Sequence, residues 1–113
     1  MDDLKSMNII PVRKGIPGLE NSELGTYLEQ LPDWELVEID EVKRLTREFK
    51  FRNFAEALEF TNQVGELAEK EDHHPAILTE WGKVTVTWWT HVVKGLHLND
   101  FISAAKTDQI FTG

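Results

Sequence analysis

The chain has 113 residues, 41% of them apolar, which is enough for one domain with a core that needs no staple. It has no cysteine, so neither a disulfide framework nor a thiolate metal site can form. The formal charge is −8, with eight acids and no Lys or Arg between Glu20 and Glu41, a face that repels phosphate backbones and speaks against direct nucleic-acid binding. Such a face keeps a protein solvated, or meets a basic partner. Met1-Asp2-Asp3-Leu4 lacks the basic-then-apolar build of a secretory leader, and no apolar run is long enough to span a membrane. The expected compartment is the cytoplasm.

Residues 1–20 hold Pro11, Gly15, Pro17 and Gly18 without helical or strand period and read as an irregular arm before a single domain over residues 21–113. Leu24, Leu28 and Leu31 follow helical spacing, with Asn21 or Ser22 as cap and Pro32 as stop. Trp34 to Ile39 reads as a strand. A turn near Asp40-Glu41 leads to a second strand, with Leu45, Phe49 and Phe51 on one face and Thr46, Glu48 and Lys50 on the other. Asn53, with Glu56 three residues on, caps the longest helix. Its expected buried stripe is Phe54, Ala57, Leu58, Thr61, Val64, Leu67 and Ala68. Pro75 disfavours helical geometry at His74, so His73-His74 should lie in extended chain just past that helix. Ala76 to Trp81 is a third strand, Gly82 a turn, and Val84 to His91 the clearest strand. Asn99 or Asp100 starts a last helix through Phe101, Ile102 and Ala105. The order α-β-β-α-β-β-α suggests an α+β fold, a four-stranded antiparallel sheet with helices on one face.

Glu69, His73-His74-Pro75, Trp81, His91 and Asp100 stand at fixed distances within one 32-residue stretch. Imidazole exchanges protons near neutral pH, so three in one segment point to acid–base chemistry on a flat, polar molecule. Taken singly, each residue has a plainer reading. His91 falls on the strand face opposite Val84, Val86 and Trp88, where a lone histidine is most often a surface residue. Glu69 is an exposed helix-end acid by default, and Asp100 suits a helix start through the macrodipole. Trp81 and Trp89 either pack or wall a pocket for a planar ring. Zinc would accept these ligand types, but adjacent histidines rarely chelate one ion and no His-x₃-His pair exists. Nucleophilic catalysis has less support, since no serine sits in a nucleophile elbow; Thr90 reads as a hydrogen-bonding partner.

At Glu69, His73-His74-Pro75, Trp81, His91 and Asp100 the chain resembles the pterin-4a-carbinolamine dehydratase family, also called 4a-hydroxytetrahydrobiopterin dehydratase. Every separation in that pattern agrees, and Leu31-Pro32-Asp33-Trp34 and Phe49-Lys50-Phe51 add weaker matches. The resemblance departs at His97, where the family usually has a capping Ser or Thr. Asn99 is the expected replacement cap, and Trp88-Trp89 is bulkier than the family norm. The resemblance implies dehydration of a 4a-hydroxytetrahydropterin to quinonoid dihydropterin, with His73, His74 and His91 catalytic. It implies substrate-binding or orienting roles for Glu69, Asp72, Trp81, Thr90 and Asp100, with Glu69 orienting His73. No metal and no organic cofactor is expected. The implied partners are a pterin substrate and further copies of the chain, as a homodimer or homotetramer, with a functional link to phenylalanine hydroxylase. The alternative on the same fold is a non-catalytic dimerisation or assembly factor.

Overall fold

Two β-hairpins build the sheet in this structure, a computed structural model that describes residues 3–10 and 19–111, the side chain of Asn21 excepted. Strand β1 (Glu35–Ile39) joins β2 (Val42–Lys50) through Asp40 and Glu41, both left-handed at φ 52° and 66°. Two consecutive left-handed residues give a type I′ turn, whose twist matches the strands it connects. Strand β3 (Ala76–Glu80) joins β4 (Lys83–Trp88) through Trp81 and Gly82. Gly82 has φ 73°, and a Cβ there would sit 3.1 Å from the Phe51 carbonyl oxygen, so only glycine fits without strain. β2 and β4 pair in the middle, giving the antiparallel order β1-β2-β4-β3.

Alternation makes the sheet one-sided. Leu45, Phe49, Val84, Val86 and Trp88 are buried on one face, in register as Leu45 opposite Trp88 and Phe49 opposite Val84. Helices α2 (Phe54–Glu71) and α3 (Leu98–Ile110) pack on that face, and α1 (Asn21–Leu28) adds Leu24 to the core. Four phenylalanines meet there, Phe49, Phe51, Phe60 and Phe111, with neighbouring centroids 4.7 to 5.9 Å apart. Arg47 occupies the core-side position between Leu45 and Phe49. Its guanidinium lies 4.3 Å from the Phe49 centroid and pairs with Asp108 at 2.7 Å. Burial pushes the Asp108 carboxyl above the usual carboxylate range, against the opposing pull of Trp34 Nε1–H and Arg47.

Several elements differ from the sequence reading. α1 begins at Asn21, with Glu20 as its N-cap residue, and ends at Leu28, before Pro32. A run of turns carries the chain on and buries Leu31 outside the helix. The buried stripe of α2 is Ala57, Phe60, Val64 and Ala68, while Phe54 and Leu58 are exposed. The stripe lies one step around the helix because the Phe49 ring draws in Phe60. β3 ends at Glu80, short of Trp81. β4 stops at Trp88, because Thr90 to Gly95 fold into a 3₁₀ turn closed by backbone bonds between those two residues. Within the arm, Leu4–Ser6 form a 3₁₀ turn against α3, with Leu4 buried and its N–H donating to Gln30 Oε1 at 3.3 Å. Pro11, Gly15, Pro17 and Gly18 lie outside the described residues. No helix among the described residues is long and apolar enough to cross a membrane.

Candidate active site

Helix α2 ends in a way that spreads its two following histidines. Asp72 is left-handed at φ 51°, its N–H donates to the Glu69 carbonyl at 3.4 Å, and the His73 N–H donates to the Ala68 carbonyl at 3.1 Å. This is a Schellman closure, which turns the chain sharply after the helix. His73 goes inward: its side chain is 14% exposed, and its ring stacks on Trp88 at 5.2 Å and 26°. His74 stays outside and hydrogen-bonds Glu69 through Nε2. Glu69, expected beside His73, therefore serves His74.

The partner of His73 is Asp100, which has no exposed surface. Its Oδ1 lies 2.7 Å from His73 Nε2, and its Oδ2 accepts from Thr90 Oγ1 at 2.7 Å and from the His97 N–H at 3.0 Å. A buried carboxylate surrounded by donors acts as an acceptor, so His73 Nε2 carries the proton and Nδ1 holds the free lone pair. The same logic at Glu69 leaves Nδ1 of His74 as its acceptor nitrogen.

His97, not Asn99, caps α3. Its Nδ1 accepts from the Asn99 N–H at 3.0 Å, while its own N–H donates to Asp100, completing a capping box. An acceptor nitrogen must be unprotonated, and burial lowers the His97 pKa against the opposing pull of Asp100. The imidazole thus replaces a hydroxyl as cap acceptor without moving Asp100.

His91 is exposed on the 3₁₀ turn after β4, 4.8 Å from the Trp89 ring, which also lies 4.1 Å from the Arg44 guanidinium. Since β4 has already ended, the alternation of β4 does not set its direction. His73, His74, His91, Asp72 and Thr90 line one cleft of about 440 Å³, completed by Glu71, Ile9, Ile10, Val92 and Asn99. That volume suits a small bicyclic ligand. Trp81 is not among these residues. It is 74% exposed at the β3–β4 turn, and a five-residue strand carries it roughly 17 Å from the His-His-Pro corner. A larger concavity of about 670 Å³, beside Phe51 and Phe60, holds the Arg52–Glu56 pair but no imidazole. Among the described residues no three His, Cys, Asp or Glu side chains form a set that could hold a metal ion.

Ile9, Ile10, Val92, Asn99 and Glu71 were not expected among the cleft residues. No motif marks them, since the first two come from the arm and Val92 depends on the 3₁₀ turn. His97 was legible in principle, because its ring nitrogen stands where a capping oxygen is usual.

Comparison with known proteins shows the family to which the chain belongs. The family model for pterin 4 alpha carbinolamine dehydratase matches residues 17–110. Two similar chains each bear the name "Putative pterin-4-alpha-carbinolamine dehydratase". One, from Nitrosococcus oceani, is 59% identical over 110 residues, covering 97% of both chains. The other, from Syntrophotalea carbinolica, is 56% identical over 110 residues, covering 97% of this chain and 98% of that one. A Brucella melitensis crystal structure, titled transcriptional coactivator/pterin dehydratase, superposes with a TM-score of 0.74 at 35% identity, covering 82% of this chain and 97% of that one. The chain belongs to the pterin 4 alpha carbinolamine dehydratase family. That membership puts it among the hydro-lyases.

Proposed function

We propose that this protein dehydrates 4a-hydroxytetrahydrobiopterin to quinonoid dihydropterin by histidine acid–base catalysis, recycling the pterin used in aromatic amino-acid hydroxylation. The observation that carries this reading is the His73–Asp100 pair facing a cleft that His74 and His91 also line. In the reaction the C4a–O bond breaks, N5 loses its proton, and the N5 electron pair forms the C4a=N5 double bond. The departing hydroxyl takes a proton and leaves as water. His73 is the base, because Asp100 stabilises the imidazolium that forms when Nδ1 takes the N5 proton. His91, exposed and in exchange with solvent, protonates the hydroxyl. His74, paired with Glu69, binds the pterin, as do Asp72 and Thr90 at the cleft wall.

No metal or organic cofactor enters this scheme. The test is the rate of carbinolamine dehydration by purified protein, with and without a chelator. Acceleration insensitive to chelation is expected. Absence of acceleration overturns the reading, and loss on chelation overturns its metal-free mechanism.

The second reading, a protein-binding or dimerisation cofactor, draws on the coactivator title of the Brucella neighbour. Trp88 and Trp89 lie against His73 and His91, so pterin binding should quench tryptophan fluorescence; a pure scaffold would not respond. Exposed Phe54, Leu58, Leu78 and Trp81 support assembly as a homodimer or homotetramer. The remaining expectations are a cytoplasmic location, a functional link to phenylalanine hydroxylase, and no direct contact with nucleic acid or membrane.

A further inference from the structure

Ile10 combines an exposed side chain with a fixed backbone. It is 55% exposed, yet its N–H donates to Asn99 Oδ1 at 3.1 Å and its carbonyl accepts from Asn99 Nδ2 at 2.6 Å. Asn99 is buried at the start of α3, so the clamp is anchored in the core. A side-chain amide that pairs with both polar atoms of one residue acts like a rung of sheet, fixing where that residue stands and which way it faces. Holding the arm to the domain does not require it, because Leu4 is already buried against α3.

The clamp instead sets Ile9 and Ile10 at the wall of the cleft that holds the three imidazoles. Val92, from the turn after β4, is an exposed apolar side chain of the same cleft. The remaining lining is mostly ionisable or hydroxylic, suited to the edges of a heterocycle but not to its faces. The family model's match begins at residue 17, while the Nitrosococcus oceani and Syntrophotalea carbinolica relatives align over 110 residues of this chain, a span that takes in the arm.

We infer that Ile9 and Ile10 form an apolar strap against the flat face of the pterin ring, and that Asn99 is the positioning residue that holds it. The inference rests on the reading of the cleft as a pterin site. A branched alkyl group neither gives nor takes protons, so the strap acts on affinity and leaves the chemical step alone.

The experiment compares Ile10→Ala, Ile10→Leu, Asn99→Ala and the Ile10→Ala/Asn99→Ala pair in the full chain, for carbinolamine dehydration and for dihydropterin binding by tryptophan quenching. Ile10→Ala and Asn99→Ala should each raise KM and the pterin Kd about tenfold, with kcat within about threefold of wild type. Ile10→Leu should stay near wild type. The double variant should be no worse than either single one, since Asn99 acts through Ile10. Unchanged KM in Ile10→Ala overturns the strap, and that side chain is too exposed for the result to reflect misfolding. Multiplying effects in the double variant overturn the role of Asn99. Wild-type protein that binds the pterin without turning it over would refute the dehydratase reading alone, leaving the Kd series to decide the strap. Absence of pterin binding overturns both.

Discussion

Replacing Asp100 with asparagine keeps the side chain's size and changes its hydrogen-bond code. The amide oxygen can keep the two bonds now made to Oδ2, from Thr90 Oγ1 and the His97 N–H. That puts the NH₂ group against His73 Nε2, where a 2.7 Å contact tolerates only an acceptor nitrogen. The imidazole proton must then move to Nδ1, the nitrogen that should take the substrate proton. Loss of a positioned base costs about 10²–10⁴ in rate. We expect Asp100→Asn to lower kcat about 10³-fold, equivalent to ~4 kcal/mol of barrier, with KM within about threefold. The helix cap survives, so stability should fall by only ~1–2 kcal/mol, the difference between a charge-assisted and a neutral bond. Stopped-flow dehydration gives the rate, ¹⁵N shifts of His73 give the tautomer, and urea unfolding gives the stability. A folded variant with wild-type kcat would refute the claim that Asp100 sets the protonation of His73.

His97 carries a second expectation. Its folded pKa lies below its unfolded value of about 6.5, so the unfolded chain binds more protons as pH falls. Stability is then complete above about pH 6.5 and is lost as pH drops toward the folded pKa. His97→Ser keeps a cap acceptor without that titration, so its unfolding free energy should fall less between pH 7 and pH 5; equal slopes would contradict the cap assignment. Phe49 touches the rings of Trp34, Phe60 and Phe111 and is buried. Phe49→Ala should cost about 3–5 kcal/mol in urea unfolding, and a loss below about 1 kcal/mol would mean the aromatic cluster is not the centre of the core.

The strands and α2 were legible because period-2 and capping signals are local: Asn53 does accept from the Glu56 N–H, at 2.8 Å. The stripe of α2 was misread at Phe54, Leu58 and Phe60, because an apolar arc shows that a helix has a buried side without showing which edge meets the sheet. The convergence of His73, His74 and His91 was legible from their positions at one end of the second hairpin. Their partners were not. Which carboxylate reaches which ring depends on the left-handed turn at Asp72, and a left-handed aspartate has no pattern in sequence. Trp81 was misplaced for a related reason, since its match to the family pattern carries no distance. Asn99 and the arm were invisible because their meeting joins segments 89 residues apart through a side chain.

The most direct test of the account is single-turnover dehydration of pterin carbinolamine by the His73→Ala/His91→Ala variant, checked for folding by circular dichroism. The variant should be folded and should have lost nearly all acceleration, while quenching by added pterin persists through His74 and the cleft wall. A folded double variant that dehydrates at the wild-type rate would contradict the account.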